Sequence, residues 1–171
     1  MEITILKAAL KDIPLIRQLA DDTFRKTYAD ILSSEQMDYM MEWMYSEDSL
    51  KGQIDADGKS FFLAFHDGQP AGYVSFEFET TLDDKRKLYH LQKLYVLQSF
   101  QRLGIGSAML NFVKDTVKTI SPDGAVIELN VNRNNPAVFF YEKLGLNRVR
   151  EGDFPIGNGY YMNDYIYAVE I

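Results

Sequence analysis

The chain has 171 residues, no cysteine and two histidines, which excludes disulfides and thiolate nucleophiles and argues against a metal site. Its formal net charge of -7 argues against nucleic acid as a partner, because phosphates require a basic surface. Since no apolar run approaches the roughly 20 residues of a membrane span and no secretory leader opens the chain, we expect a cytoplasmic protein without a membrane partner, folded as a single domain over residues 1–171.

The first part of the chain predicts one strand and three helices. The strand covers residues 2–9, and Asp12 with Pro14 opens the helix that follows it. The second helix carries four methionines and Trp43, a face that ordinary core packing explains better than binding. A third, short helix covers residues 47–54.

A β-hairpin comes next. Its strands cover residues 60–66 and 69–80, and the dipeptide Asp67-Gly68 between them is typical of a two-residue hairpin turn. His66 beside that turn is most simply an exposed turn residue.

The strand at residues 88–96 leads through a glycine-containing turn into a helix. Apolar side chains at helical spacing define one face of this helix: Ile105, Met109, Leu110, Val113 and Val117. Gly104 and Gly106 stand where the chain enters it. Because glycine has no Cβ, a ligand can approach the unpaired N–H groups of the first turn, where the helix dipole favours an anion. The sequence therefore predicts a phosphate-binding site at residues 102–107.

The last part of the chain predicts a strand, a short helix and two closing strands. A helical crossover would place the strand at residues 125–131 parallel to the strand before it. Asn135 as N-cap and Pro136 as first helical residue predict a helix that ends before Gly145. The closing antiparallel strands cover residues 146–151 and 160–170.

Two motifs carry a resemblance to a known family. The first resembles the acyl-CoA signature Q/R-x-x-G-x-G/A of the GNAT superfamily of N-acetyltransferases, and consists of Gln101, Arg102, Leu103, Gly104, Ile105 and Gly106. The second resembles the signature N-x-x-A-x-x-F/L-Y-x-K-x-G-F, and consists of Asn134, Ala137, Phe140, Tyr141, Lys143 and Gly145. The resemblance covers essentially the whole chain. It implies an α/β (α+β) fold with a mixed, mostly antiparallel sheet of about seven strands, a parallel pair at its centre and about four flanking helices.

The resemblance also assigns residues to acetyl-CoA, the expected cosubstrate. Main-chain groups of the central strand would pair with the pantetheine amides, at Leu94, Tyr95 and Val96. The N–H groups from Arg102 to Ser107 would hold the pyrophosphate. Arg102 would add a charged contact or stay exposed in solvent. Asn134 would hydrogen-bond the coenzyme, cap the last helix, or do both.

The catalytic acid and base are assigned less directly. Tyr141 corresponds to the family's general acid, which protonates the departing thiolate; the alternative is an aromatic residue of the core. Family members often use a glutamate on the central strand as base, and this chain departs from that pattern. His90 is the candidate base, with a packed strand histidine as the equal alternative, and Glu77 and Glu79 are the fallback candidates acting through water. Strand alternation places His90 on one face with the even-numbered residues after it, up to Val96.

The sequence therefore predicts an acetyl-CoA-dependent N-acetyltransferase. Acetyl would pass directly to a primary amine through a tetrahedral intermediate, with the oxyanion stabilised by a backbone N–H near Leu94. Acidic charge and a loose similarity to bacterial spermine/spermidine acetyltransferases favour a polyamine as the small-molecule acceptor. A protein N-terminus or an amino-acid-like amine remains open, as does a homodimer. The alternatives are a non-catalytic acyl-CoA sensor and an interaction protein that docks through the helix carrying Trp43.

Overall fold

The computed structural model describes residues 1–171, which form seven strands and five α-helices. The strands are β1 Ile3–Lys7, β2 Lys59–His66, β3 Gln69–Thr81, β4 Lys87–Val96, β5 Ala125–Asn132, β6 Asn147–Gly157 and β7 Tyr160–Glu170. The helices are α1 Ile13–Tyr28, α2 Ser34–Tyr45, α3 Glu47–Asp55, α4 Ile105–Ile120 and α5 Ala137–Lys143, and two 3-10 turns cover Leu10–Asp12 and Gln98–Phe100. None of the helices is long and apolar enough to span a membrane.

The strands form one sheet in the order β1-β2-β3-β4-β5-β7-β6. β4 and β5 are the parallel pair, with Leu88 opposite Val126 and Leu91 opposite Leu129. This confirms the predicted mixed sheet of seven strands with a parallel pair at its centre. The five α-helices agree with the prediction of about four flanking helices, and they include α3, the short third helix expected at residues 47–54.

Contacts along the chain define two compact units. The first comprises Met1–Glu77 and Gln92–Val113, and the second comprises Phe78–Leu91 and Lys114–Ile171. β3, β4 and α4 therefore contribute residues to both units. That residues 1–171 act as one domain stays a prediction.

Aromatic rings and buried hydroxyl groups join helices to strands in the first unit. The ring of Phe24 in α1 lies 6.0 Å from that of Tyr45 in α2, and Tyr45 lies 6.0 Å from Tyr73 in β3. The Tyr73 hydroxyl is 2.8 Å from the Tyr45 hydroxyl and 3.1 Å from Thr23 Oγ1. Burial raises the pKa of both tyrosines, so their hydroxyl groups stay protonated at neutral pH.

Charged and hydroxyl groups connect the elements of the second unit. The Tyr167 hydroxyl of β7 donates to Glu142 Oε1 of α5 at 2.6 Å. Arg150 of β6 reaches over β7 and donates two hydrogen bonds, of 3.0 and 2.8 Å, to the carboxylate of Glu128 in β5. Such a two-point pair fixes the geometry of both side chains.

Two predicted helix caps differ in detail. The Asp12 carboxylate makes no capping bond to α1 and instead accepts the N–H of Ala9 at 2.8 Å. α5 begins at Ala137 rather than at Pro136, and Asn135 Oδ1 accepts the Ala137 N–H at 2.9 Å. The helix thus starts one residue later than predicted, and the Asn135 side chain still accepts the N–H of its first residue.

His66 was expected to be exposed and is buried. It is the last residue of β2 and only 9% exposed, and its ring lies 5.7 Å from that of Phe100. Asp67 and Gly68 form the predicted turn, with φ of 48° and 80°. His66 stays buried because its backbone still belongs to the strand ladder, which directs its side chain onto a face of the sheet.

Candidate active site

The turn from β4 into α4 presents free backbone donors. Arg102 and Gly104 both have left-handed backbones, with φ of 64° and 81°. The N–H of Ala108 closes the first turn of α4 by donating to Gly104 O at 2.9 Å. The N–H groups of Ile105, Gly106 and Ser107 precede that bond and so have no acceptor within the helix. Such N–H groups can donate to a phosphate, and their role as the cradle for the pyrophosphate of acetyl-CoA stays a prediction.

The carbonyl group of Val96 has a partner already. The Gln101 carboxamide donates to Val96 O at 3.3 Å, and the N–H of Leu97 donates to Ala71 O of β3 at 2.8 Å. Gln101 and Val96 were predicted to bind different parts of the coenzyme. In this structure they bind each other, through a long hydrogen bond that a ligand amide could replace.

The side-chain alternation of β4 is broken between Gln92 and Tyr95. The Gln92 carboxamide donates to Glu77 Oε1 at 2.8 Å, and the Tyr95 ring lies 5.4 Å from the Tyr73 ring. Glu77 and Tyr73 are four residues apart in a regular part of β3, so they share a face. Gln92 and Tyr95 therefore also share a face, although they are three residues apart. The predicted alternation up to Val96 is wrong beyond Gln92.

Lys93 is a buried cation that the sequence reading missed. It is 7% exposed, and its Nζ donates to Gln53 Oε1 of α3 at 2.6 Å and lies 5.4 Å from the ring centre of Tyr45. Burial lowers the pKa of Lys93 from 10.5 to about 8. The sequence feature that could have predicted this burial is the position of the lysine in the predicted central strand, directly before the apolar residues 94–96.

We expect Lys93→Met to change stability in a pH-dependent way. Because the folded pKa lies below the unfolded value, the unfolded chain binds more protons between about pH 8 and 10.5, and the stability of the wild type rises with pH across that window. At pH 7 the variant avoids the cost of burying a charge, whereas at pH 10.5 the wild-type lysine is neutral and that cost is gone. The free energy of unfolding of the variant minus that of the wild type should therefore fall by about 2–3 kcal/mol between pH 7 and 10.5. Chemical denaturation at both pH values measures it. Lys26→Met, at an exposed position, is the control, and a gain that is the same at both pH values would contradict the prediction.

In the second unit, His90 lies among carboxylates. Its Nδ1 is 3.6 Å from Glu79 Oε2 of β3, and its backbone lies opposite Glu128 in the parallel ladder. The His90 side chain is 20% exposed, so it is neither surface nor core. At 3.6 Å this contact is too long for a hydrogen bond, so Glu79 acts on the His90 ring only through its charge, and the role of His90 as general base stays a prediction.

The second motif occupies the connection from β5 into α5. Asn134 is exposed, and its N–H donates to Asn132 Oδ1 at 2.9 Å. Its side chain does not cap α5, whose first N–H donates to Asn135 Oδ1 instead. Tyr141 lies on α5 and is 7% exposed, with its ring 5.2 Å from that of Phe140. Asn134 and Tyr141 thus stand on one short segment of the second unit, where their roles in coenzyme binding and catalysis remain predictions.

Asp164 is a second buried charged residue that was not predicted from the sequence, and it has no sequence signal. It is 5% exposed, its Oδ2 accepts from Asn130 Nδ2 at 3.3 Å, and its Oδ1 has no hydrogen-bond partner. Burial raises the pKa of this carboxyl. Its position in a closing strand next to Asn163, another polar residue, gave no reason to expect burial.

The seven-stranded mixed sheet, with a glycine turn between its central strand and a helix, is the arrangement that the sequence predicted for an acyl-CoA transferase. The model of the Acetyltransferase (GNAT) family matches residues 15–146, and the chain belongs to this family. It is therefore an N-acetyltransferase, and acetyl-CoA is its cosubstrate. The predicted superfamily, enzyme class and cosubstrate are confirmed.

Individual relatives agree with this assignment. The chain is 28% identical over 159 residues to an uncharacterised N-acetyltransferase of the pepI 3′ region in Lactobacillus delbrueckii subsp. lactis, covering 91% of each chain. It is 31% identical over 98 residues to an N-alpha-acetyltransferase of Sulfurisphaera tokodaii, covering 53% of this chain and 58% of the other. PaiA N-acetyltransferase from Thermoplasma acidophilum, solved in complex with coenzyme A, shares the fold with a TM-score of 0.81 and 23% identity over the full length of both chains.

Proposed function

We propose that this N-acetyltransferase acetylates a primary amine by direct attack, with a polyamine as acceptor. The observation that carries the acceptor class is a set of exposed carboxylates on α1, α2 and their connection. Three of these have no cationic or hydrogen-bonding partner: Asp22, Asp30 and Glu42. With a net charge of -7 on the chain, such groups attract a flexible molecule that carries several ammonium groups.

The proposed chemistry divides among few residues. Bound acetyl-CoA supplies the acetyl thioester that the acceptor amine attacks. The turn from Gln101 to Ser107 holds the pyrophosphate, and main-chain groups of Leu94 to Val96 orient the pantetheine. The N–H near Leu94 stabilises negative charge on the carbonyl oxygen. His90 takes the proton that the amine loses, and Tyr141 donates one to the departing thiolate.

A peptide or protein N-terminus is the second candidate acceptor. The observation in its favour is the 31% identity over 98 residues to the N-alpha-acetyltransferase of Sulfurisphaera tokodaii. An α-amino group has an ordinary pKa near 7.7–8.0, so it needs less help from a base than a polyamine does. Loss of His90 should therefore lower the rate with a polyamine more than the rate with a peptide N-terminus.

The test is thiol release from acetyl-CoA with a panel of amines. Spermidine and spermine represent the first candidate, short peptides with free N-termini the second, and free amino acids and aminoglycosides the remaining amines. Turnover that is highest with polyamines and falls with added salt supports the proposal, because the attraction of the carboxylates is screened. Turnover with peptides alone would contradict a polyamine acceptor and support a peptide or protein N-terminus instead.

We expect His90→Gln to lower kcat with a polyamine by about 100-fold at pH 7, because a general base typically contributes 10²–10⁴-fold. The deficit should shrink as the pH approaches and passes about 10.4, where half or more of an amine with that pKa is neutral without help. A pH profile of kcat for both proteins measures this. A deficit that is equal at every pH would show that His90 only packs in the strand. Glu79→Gln should lower kcat less, with the same dependence on pH, since it removes only the carboxylate that lies 3.6 Å from His90 Nδ1.

Cytoplasmic location and a homodimer stay predictions from the sequence.

A further inference from the structure

A basic pocket on the first unit is lined by none of the residues assigned above to acetyl transfer. Its walls come from the 3-10 turn Leu10–Asp12, the start of α1 and the first half of α3, and it is an open depression with a volume of about 680 Å³. Small-molecule sites in proteins typically enclose about 300–1,000 Å³. The pocket is thus large enough for a metabolite.

The charges in this pocket do not cancel. Lys51 Nζ lies 3.3 Å from Glu47 Oε1 one helical turn earlier, and these two charges neutralise each other. Lys11 and Arg17 also line the pocket and are exposed, and their side chains make no ion pair or hydrogen bond. The residues that line the pocket therefore carry two unpaired positive charges, in a chain whose net charge is -7.

The rest of the lining is apolar and comes from Leu10, Ile13 and Pro14. Leu10 is 44% exposed, so it offers a surface that a ligand could cover. A phosphate monoester carries a charge of about −1.5 to −2 at pH 7, which matches the two unpaired cations, whereas a single carboxylate carries only one charge. Arginine binds such a group through two parallel N–H donors, and lysine adds a point charge.

We infer that this pocket binds a small molecule that carries a phosphate group on an apolar body. Neither the glycine turn of α4 nor the acceptor amine takes part in this site. The inference is therefore independent of the proposed acceptor and of the roles of Tyr141 and His90.

The test is a titration of the full chain with phenyl phosphate, followed by amide chemical shifts. Saturating coenzyme A is present, so that the turn at residues 101–107 is occupied and phosphate cannot bind there. We expect shifts concentrated at residues 10–17 and 47–51. The double variant Lys11→Gln/Arg17→Gln should bind at least about tenfold more weakly. Benzoate should bind more weakly than phenyl phosphate, and phenol should not bind.

The matched control is Lys7→Gln/Lys26→Gln, which removes the same charge from two exposed lysines that do not line the pocket. It should bind phenyl phosphate like the wild type. Equal weakening in both double variants would reduce the effect to net charge and overturn the inference, as would shifts that leave residues 10–17 and 47–51 unchanged. If coenzyme A fails to bind, that result counts against the proposed acetyl transfer and not against the pocket. The same titration without coenzyme A then still tests whether the pocket binds phenyl phosphate.

Discussion

Tyr141→Phe should lower kcat by about 100-fold or more while the KM for acetyl-CoA changes little. A general acid contributes typically 10²–10⁴-fold, and phenylalanine keeps the ring but cannot donate a proton. Tyr141 is 7% exposed on α5, so the ring itself fills space in the second unit and the variant should remain folded. Steady-state kinetics with acetyl-CoA and the best amine of the panel, together with the thermal midpoint, measure the effect.

The control for this variant is Tyr161→Phe, the same chemical change at a position of β7 that is 54% exposed. It should leave kcat unchanged. If Tyr141→Phe instead raised KM with kcat intact, the hydroxyl would contribute to binding rather than to proton transfer. If both variants kept full activity, the proton would come from another donor or from water, and the role implied by the second motif would be wrong.

The helix after the glycine turn could be predicted almost completely from the sequence. All five residues chosen for its apolar face are 0–1% exposed: Ile105, Met109, Leu110, Val113 and Val117. The hairpin turn at Asp67-Gly68 and the parallel pairing of β4 with β5 were equally predictable. These features follow from local rules, namely helical periodicity, turn chemistry and the handedness of crossovers.

The environment of individual polar side chains could not be predicted in this way. Lys93 is buried because the alternation of β4 breaks after Gln92, and only the contacts to neighbouring strands and helices reveal that break. His66 is buried although it adjoins a turn, since Phe100 from a distant part of the sequence packs on it. Burial of a polar group depends on residues far away in the chain, which periodicity within one element does not encode.

Gly72→Ala should destabilise the first unit and weaken the binding of coenzyme A. A Cβ at Gly72 would clash with the carbonyl oxygen of Tyr95 and lie 3.3 Å from the Cα of Val96. Both are backbone atoms, which cannot move aside as a flexible side chain can. The end of β4 would have to shift, at a cost of about 1–3 kcal/mol, or a fall in Tm of about 3–10 °C.

Leu94 to Val96 are the residues proposed to pair with the pantetheine, so the same shift should weaken coenzyme A binding by at least about tenfold. Calorimetric titration and thermal unfolding measure the two effects. Gly52→Ala is the matched control: that glycine lies inside α3 with no atom within 4 Å of the added Cβ, so the change should stabilise the protein by up to about 1 kcal/mol and leave affinity unchanged. A Gly72→Ala protein that lost stability but bound coenzyme A normally would place the pantetheine away from Tyr95 and Val96. If Gly72→Ala lowers both stability and affinity for coenzyme A while Gly52→Ala lowers neither, the result supports binding of the cosubstrate by the backbone of β4.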